Sequence, residues 1–185
     1  MPHVDLGNDL PGIMGLLQFR PETGHPLSSL AEVLLRGPST LSRGERELIA
    51  AYVSSRNECQ FCASSHSAFA AAQLPDGARL VGQVCEDPEQ AGLPAKLKAL
   101  LRIAASVTQS GRAVTSAEVA AARAAGASDV EIHDTVLIAA AFCMYNRYVD
   151  GLAATTPTDP QAYKEAADLI VTHGYLAPLS PAAPL

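Results

Sequence analysis

The sequence predicts an all-α domain of about seven or eight helices, and two observations carry that prediction. Segments free of Pro and Gly repeat their apolar residues at helical spacing, and none alternates apolar and polar residues as a half-buried strand does. Helix-start signals precede many of these segments: a Ser or Thr followed three residues later by Glu, or a Pro in the first turn. Apolar residues make up 48% of the 185 residues and charged residues 17%, which is enough for one domain with its own core.

The two ends of the chain differ from this helical pattern. Three prolines and several glycines interrupt residues 1–25, so we expect an extended N-terminal arm with at most one short turn. Because the arm is also apolar, it must cover either its own domain or a neighbouring subunit. We expect the helical domain to span residues 26–175, and residues 176–185, with three more prolines, to form a mobile tail.

The first half of the domain predicts three helices. Pro26 opens the first, and Gly37 followed by Pro38 ends it. Ser42 and the Glu three residues later form a capping box for the second helix. The third runs over about residues 58–73 and is rich in Ala and Ser, whose small side chains allow neighbouring helices to approach closely.

The second half predicts five helices, each with a boundary signal. They begin near residue 78, at Pro94, after the capping boxes Thr115–Glu118 and Ser128–Glu131, and at Asp159-Pro160. The fourth of them is the longest and runs to about residue 153. Its apolar run over residues 136–145 predicts burial on most sides. Gly174 ends the last helix.

The residues most capable of taking part in a reaction lie between positions 47 and 66. Cys59 and Cys62 form a C-x-x-C pair, and His66 follows Cys62 by four residues. Because a helix turns about 100° per residue, these three side chains share one helix face. Residues 54–58 predict a break before this helix, so that Glu47 on the preceding helix can fold back beside the dithiol. Such a face holds a redox dithiol with its own base.

The spacing also assigns roles to the two sulfurs. The reactive form of cysteine is the thiolate, whereas a free thiol with a pKa of about 8.5 is mostly protonated at neutral pH. His66 is one turn from Cys62 but two turns from Cys59, so Cys62 is expected to lose its proton to His66. The helix N-terminus favours Cys59, which is expected to be the more exposed sulfur, but its effect of about 0.3–1 kcal/mol is smaller than that of a base in contact. Glu47 would orient His66 or carry the proton onward.

Other interpretations of the cysteines compete with this one. A haem-attachment motif is excluded because Ala63, not His, follows Cys62. A zinc site would have Cys59, Cys62 and His66 as ligands, but no second C-x-x-C or His pair supplies the fourth. Two purely structural cysteines would leave the neighbouring Glu, Asn and His unexplained. We therefore predict no metal and no cofactor.

Several residues outside this stretch were weighed as site residues. Cys85 and Cys143 are expected to be small buried hydrophobes. Asn146, Arg147 and Asp150 follow one another at near-helical spacing and could clamp a ligand, although a structural polar network is the favoured interpretation.

Composition and charge exclude several classes of protein. The net charge of −6 leaves no basic face for phosphates, and aromatic residues make up only 5%, so we predict no nucleic-acid partner. The first residues lack the basic and apolar regions of a signal peptide. The uncharged, largely apolar run over residues 135–146 is too short to span a bilayer. We expect a cytoplasmic protein with no membrane partner.

The motif resembles that of a known family. The pattern E-x6-S-x2-N-x-C-x2-C-x3-H, which begins at Glu47 and ends at His66, is similar to the signature of the alkyl hydroperoxidase D-like branch of the carboxymuconolactone decarboxylase superfamily. Its peroxidase-related group is the most similar. The resemblance extends more weakly over about residues 10–175. One departure is Phe61, because well-studied members carry a His before the second cysteine as part of a proton relay.

The resemblance implies an all-helical homo-oligomer with thiol-dependent peroxidase activity, and we expect the arm and the longest helix to build its subunit contacts. Cys62 would attack an alkyl hydroperoxide or hydrogen peroxide and become a sulfenic acid, and Cys59 would condense with it to a disulfide. A dihydrolipoyl group or a thioredoxin-like protein would restore the dithiol. The implied catalytic residues are Cys62, Cys59, His66 and Glu47.

Two other functions remain open at this stage. One is the superfamily's decarboxylase or isomerase activity on a small lactone, whose members generally lack the C-x-x-C pair. The other is a non-enzymatic redox sensor, in which the dithiol changes oligomer contacts without turnover.

Overall fold

The computed structural model describes residues 1–177, and within that range it contains nine α-helices and one short 3₁₀ turn. The helices are α1 Ile13–Phe19, α2 Pro21–Arg36, α3 Arg43–Arg56, α4 Gln60–Ala71, α5 Gly77–Glu86, α6 Ala95–Gln109, α7 Ser116–Ala124, α8 Asp129–Gly151 and α9 Pro160–His173. None of residues 1–177 forms a strand, so the predicted all-α class is confirmed, with one helix more than expected. Residues 178–185, most of the predicted tail, lie outside the described range.

The N-terminal 25 residues are more helical than predicted. α1 lies within them, and α2 begins at Pro21 instead of the predicted Pro26. A proline inside a helix costs about 3 kcal/mol, which is why the sequence predicts a helix start at Pro26. Here it lies inside α2, which packs closely on α1: a Cβ on Gly24 would lie only 2.2 Å from the carbonyl oxygen of Leu17. Tertiary packing therefore outweighs the local preference.

The apolar arm covers its own domain. Leu6, Leu16 and Leu17 are buried. Two backbone hydrogen bonds tie the arm to the segment after α8: His3 N–H donates to the Leu152 carbonyl at 2.9 Å, and Gly12 N–H to the Thr155 carbonyl at 2.7 Å. Of the two roles considered for the arm, the intramolecular one is present.

The three predicted capping boxes all form. At each one the Ser or Thr side chain accepts from the Glu backbone N–H, and the Glu side chain accepts from the backbone N–H of the cap. Glu131 of α8 also accepts from Lys96 Nζ at 2.7 Å and from Thr40 Oγ1 at 3.0 Å. Burial raises the pKa of Glu131, but these hydrogen bonds outweigh burial and hold the pKa at about 2. The start of α8 is thus fixed to α6 and to the loop before α3.

α3 is the central helix of the domain. Every residue from Arg46 to Ser54 is buried, and α2, α4, α5, α6 and α8 pack around it. Its apolar residues share one core with Leu100 of α6 and with Ile138 and Phe142 of α8. Any polar side chain in the middle of α3 is therefore enclosed by protein.

α8 is the longest helix, and it carries an exposed apolar stripe. None of the described helices is both long and apolar enough to cross a bilayer, α8 included. Val130, Leu137 and Met144 are spaced seven residues apart, which places them along one face, and they are 62%, 38% and 43% exposed. We infer that this stripe, more than the N-terminal arm, forms the subunit contact of the expected homo-oligomer.

Replacing Leu137 with Lys is expected to dissociate the oligomer, because a charge in the centre of an apolar helix contact loses its hydration. Sedimentation velocity at micromolar concentration measures the change. Val33→Lys is the matched control, since Val33 is 68% exposed on α2 and lies outside the stripe. A monomeric unaltered protein would contradict the prediction, and dissociation by the control alone would place the contact elsewhere.

Candidate active site

A tight turn between α3 and α4 places the two cysteines. α3 ends at Arg56, and Glu58 adopts a positive φ of 59°, which reverses the chain. Cys59 is then the N-cap of α4 and its backbone N–H donates to the Ser54 carbonyl at 3.1 Å. Cys62 lies in the first turn of α4. The predicted helix break and the position of Cys59 at a helix start are confirmed.

Both thiols are free and buried, which corrects the expectation that Cys59 is the more exposed one: its side chain is fully buried, and that of Cys62 is 3% exposed. Both cysteines belong to one buried cluster with Leu6 and Leu16 of the arm and Val149 of α8. The helix start that was expected to expose the Cys59 sulfur therefore lies within this cluster.

The environment favours ionisation of Cys62. A hydrogen bond from the Cys59 thiol lowers the pKa of Cys62, and burial raises it. The nearby His66 and a hydrogen bond from the Asn146 amide lower the pKa of Cys62 further. The pKa of Cys59 is raised by the same hydrogen bond to Cys62, by burial and by the nearby Asp150 carboxylate. Of the two thiols, Cys62 is thus the one that loses its proton at the lower pH.

His66 and Glu47 form a buried pair next to the dithiol. His66 Nδ1 lies 2.7 Å from Glu47 Oε2, and the exposed fractions of the two residues are 8% and 1%. Phe142 and Phe69 pack edge-on against the imidazole, with ring centroids 4.5 Å and 5.1 Å away, and hold its orientation. A carboxylate accepts hydrogen bonds, so the Nδ1 that faces Glu47 carries a proton. The nitrogen left to exchange a proton is therefore Nε2.

Tyr175 is a member of this cluster that the sequence analysis missed. Its hydroxyl donates to the second oxygen of Glu47, Oε1, at 2.5 Å. Burial and the negative charge of Glu47 raise the pKa of Tyr175 well above its ordinary value, so the phenol stays a hydrogen-bond donor. Its sequence position, directly after the helix-ending Gly174, gave no hint that it returns to α3.

Asn146 belongs to a polar network beside Cys62, as the sequence analysis favoured. Asn57 Nδ2 donates to Asn146 Oδ1 at 2.8 Å, and Asn146 Nδ2 donates to Ser54 Oγ at 3.1 Å. The Ser and Asn of the motif thereby tie α8 to the end of α3. Arg147 is exposed, and its guanidinium donates to the Cys143 carbonyl one turn back.

A cavity of about 180 Å³ lies in front of the relay. Cys62, His66 and Tyr175 line it, whereas Cys59 does not. Its apolar walls include Ile13, Leu17, Leu27, Phe69, Phe142 and Ile170. An engineered apolar cavity of about 150 Å³ holds a benzene molecule, so this one accommodates a small apolar ligand. Only one sulfur of the pair can meet such a ligand.

Phe61 replaces the His expected in a longer relay. Its ring lies over Gly12, where an added Cβ would come within 2.2 Å of it, and its centroid is 6.3 Å from that of Tyr163. Phe61 thus closes one side of the cavity and has no titratable group to contribute. The hydrogen-bonded chain at this site runs from His66 through Glu47 to the Tyr175 hydroxyl.

The zinc interpretation finds no geometric support in residues 1–177. No group of three His, Cys, Asp or Glu side chains in that range is arranged to hold a metal ion. His66 Nδ1 is also occupied by its hydrogen bond to Glu47.

Comparisons with known proteins agree with this architecture. A family model described as the carboxymuconolactone decarboxylase family matches residues 21–74 and 75–157. The crystal structure of an uncharacterized peroxidase-related protein from Silicibacter sp. TM1040 is 28% identical with a TM-score of 0.75, covering 83% of this chain and 78% of that one. No curated protein matches the chain.

A second solved structure is similar in fold. It is an uncharacterized peroxidase-related protein from Ralstonia eutropha JMP134, described as an alkylhydroperoxidase AhpD core. It is 22% identical to this chain with a TM-score of 0.76, and the match covers 90% of this chain and 95% of that one. At this identity the likeness shows a shared helical fold.

The lowered pKa of Cys62 leads to a prediction about thiol reactivity. Iodoacetamide should alkylate Cys62 before the other cysteines. The alkylation rate should stay high at pH values below the ordinary pKa of a thiol and fall only at more acidic pH. His66→Ala removes the imidazole that favours the thiolate, so the pKa of Cys62 should rise and the rate at pH 7 should fall roughly tenfold. Glu47→Gln should act in the same direction, more weakly if Glu47 orients His66 and as strongly if it is itself the base.

His133→Ala is the matched control for this experiment, because His133 is exposed and pairs only with its neighbour Asp134 among the described residues. Mass spectrometry locates the label, and rates are measured from pH 5 to pH 10. Unchanged rates in both the His66 and the Glu47 variants would remove these residues from the site.

Proposed function

Since this chain belongs to the carboxymuconolactone decarboxylase family, we propose that it is a thiol-dependent peroxidase that reduces small apolar hydroperoxides through Cys62 and Cys59. The observation that supports this most directly is the asymmetry of the dithiol. Cys62 lines the cavity with His66 beside it, and Cys59 lies behind it within hydrogen-bond reach. An attacking thiol and a resolving thiol require this arrangement.

The reaction begins with the proton of Cys62. His66 Nε2 takes it, and Glu47 stabilises the imidazolium through Nδ1. The Cys62 thiolate attacks the terminal oxygen of the hydroperoxide, the O–O bond breaks, and the leaving alkoxide takes the proton back from His66 to give the alcohol. Cys62 is now a sulfenic acid, and the sulfur has lost two electrons to the peroxide.

Cys59 completes the oxidative half. Its thiol attacks the Cys62 sulfenic acid, a disulfide forms between the two residues, and the hydroxyl leaves as water with the Cys59 proton. The raised pKa of Cys59 suits this order, because Cys59 remains a protonated donor to Cys62 until the sulfenic acid appears. A dithiol must then return two electrons to close the cycle.

The cavity favours an organic hydroperoxide over the lactone substrate of a decarboxylase. Its lining includes no Lys or Arg among residues 1–177, so neither of these cations is present there to pair with the carboxylate of a carboxylated lactone. Apolar side chains instead dominate its surface, and they suit the alkyl or aryl part of a small hydroperoxide.

Sulfenic acid trapping tests the assignment of the two sulfurs. With one equivalent of tert-butyl hydroperoxide and a dimedone-type reagent, Cys59→Ser should be labelled at Cys62, because nothing resolves the sulfenic acid there. Cys62→Ser should not be labelled. Hydrogen peroxide at equal concentration should label Cys59→Ser more slowly, because it leaves the apolar walls unfilled.

Cys143→Ser is the matched control, since Cys143 is half-buried on α8 and outside the cavity lining. It should form the Cys59–Cys62 disulfide as the unaltered protein does. Labelling of Cys62→Ser alone would reverse the roles of the two cysteines. No labelling in either variant, with no disulfide in the unaltered protein, would exclude peroxide reduction and leave the redox-sensor interpretation.

Burial of the dithiol bears on the identity of the electron donor. Thiol exchange requires the attacking sulfur to reach the disulfide directly. Both cysteines are buried, and of the two only Cys62 lines the cavity. A slender dithiol such as a dihydrolipoyl group fits that cavity, whereas the active-site cysteine of a thioredoxin-like protein lies on a broad surface. We therefore propose a dihydrolipoyl donor.

Donor competition measures this preference. Dihydrolipoamide should reduce the oxidised protein and sustain hydroperoxide consumption, while a thioredoxin with its reductase should be at least tenfold slower at equal thiol concentration. Unfolding the oxidised protein in urea should make the two donors equivalent, because the disulfide is then exposed. Faster reduction of the folded protein by thioredoxin would reject the proposal.

A further inference from the structure

We propose that Tyr175 is a positioning residue of the proposed proton relay: its hydroxyl holds the Glu47 carboxylate turned towards His66. The inference deepens the proposed function, because the relay serves the Cys62 thiolate. Tyr175 acts through Glu47 and needs no contact with the reacting sulfur.

The hydrogen bonds of Glu47 carry the proposal. Its two oxygens have different partners, His66 Nδ1 on Oε2 and the Tyr175 hydroxyl on Oε1. Within residues 1–177 no other group hydrogen-bonds to this carboxylate, which is 1% exposed. A buried carboxylate with a single hydrogen-bond donor is costly. Tyr175 therefore supplies one of the two hydrogen bonds that hold the Glu47 carboxylate in place.

The chain end is built to bring Tyr175 to this position. Its backbone N–H donates to Glu32 Oε2 at 2.8 Å. Arg36, which pairs with Glu32 at 3.2 Å, donates to the Ile170 and Val171 carbonyls at the end of α9. Glu32 and Arg36 of α2 thus hold both the end of α9 and Tyr175, which lies two residues beyond it.

Gly174 makes the reversal between α9 and Tyr175 possible. Its φ of 82° and ψ of −176° lie in a region that only glycine adopts readily. A Cβ there would also lie 2.5 Å from Glu32 Oε2, which is the oxygen that receives the Tyr175 N–H. A side chain at position 174 would disturb the backbone and the anchor of Tyr175 together.

Other charged groups near this cluster do not replace the Tyr175 hydroxyl. Arg36 favours an ionised phenol, but burial and the charges of Glu47 and Glu32 outweigh it, so the pKa of Tyr175 stays raised. The titratable groups around the cluster are His66 on α4, Arg36 and Glu32 on α2, Arg46 on α3 and Tyr145 on α8, whose hydroxyl donates to the Leu27 carbonyl.

The effect passes to Cys62 in two steps. With Oε1 held by Tyr175, Oε2 of Glu47 faces His66 Nδ1 and stabilises the imidazolium that forms when Nε2 takes a second proton. The imidazolium in turn stabilises the Cys62 thiolate. Without the hydroxyl, the carboxylate is free to turn away from His66, the imidazolium loses its partner, and the thiol ionises at higher pH.

The test is the pH profile of Cys62 alkylation in Tyr175→Phe, which keeps the ring that stacks on His66 at 6.3 Å. The profile should move to higher pH, with a rate at pH 7 lower by roughly threefold to tenfold and an unchanged plateau at high pH. Tyr52→Phe is the control, because Tyr52 is buried on α3 but lies outside the cavity lining. It should match the unaltered protein.

A double variant separates positioning from packing. If Tyr175 acts through Glu47, adding Tyr175→Phe to Glu47→Gln should slow alkylation no further. Independent effects of the two substitutions, or an unchanged profile in Tyr175→Phe, would overturn the proposal.

Gly174→Ala gives a second route if Tyr175→Phe does not fold: it retains the hydroxyl but displaces it, and should shift the profile in the same direction. An unshifted profile in a folded Gly174→Ala variant would count against Tyr175. Alkylation needs neither peroxide nor an electron donor. If the protein has no peroxidase activity, the proposed function is refuted, but the alkylation profile still tests the role of Tyr175.

Discussion

The buried carboxylate of Glu47 is the constraint on which the rest of the site depends. α3 is enclosed by other helices, and the apolar side chains around Glu47 offer it no donor. A charge in such a place is tolerated only when hydrogen-bond donors replace its water. The donors come from two distant parts of the chain, His66 on α4 and Tyr175 after α9. The requirements of one carboxylate thus fix how the two elements lie against α3.

The same enclosure makes the two cysteines unequal. Both are small and sit three residues apart, but Cys59 lies outside the cavity lining, whereas Cys62 faces a cavity walled by α1, α2, α4, α8 and α9. Hydrogen bonding strengthens the difference, because Cys59 donates to Cys62 and lowers the pKa of the sulfur that can meet a ligand. Access and ionisation therefore favour the same sulfur.

The apolar walls and the short relay fit one another. Phe61 takes the place of a second imidazole, closes the cavity against Gly12 and removes a polar group from its lining. The Tyr175 hydroxyl hydrogen-bonds to the Glu47 oxygen that His66 does not contact. Phe61 and the phenol of Tyr175 therefore line the cavity without adding a charged group to it.

The sequence by itself determined the helical class, the capping boxes at Ser42, Thr115 and Ser128, the start of a helix at Cys59, and the residues of the dithiol motif, because spacing and capping act between neighbours in the chain. Only the tertiary structure decided that α2 begins at Pro21, since packing against α1 outweighs the cost of Pro26. It also decided that Cys59 is covered and that Tyr175 meets Glu47, because these contacts join residues more than 40 and 120 positions apart, over which no local pattern extends.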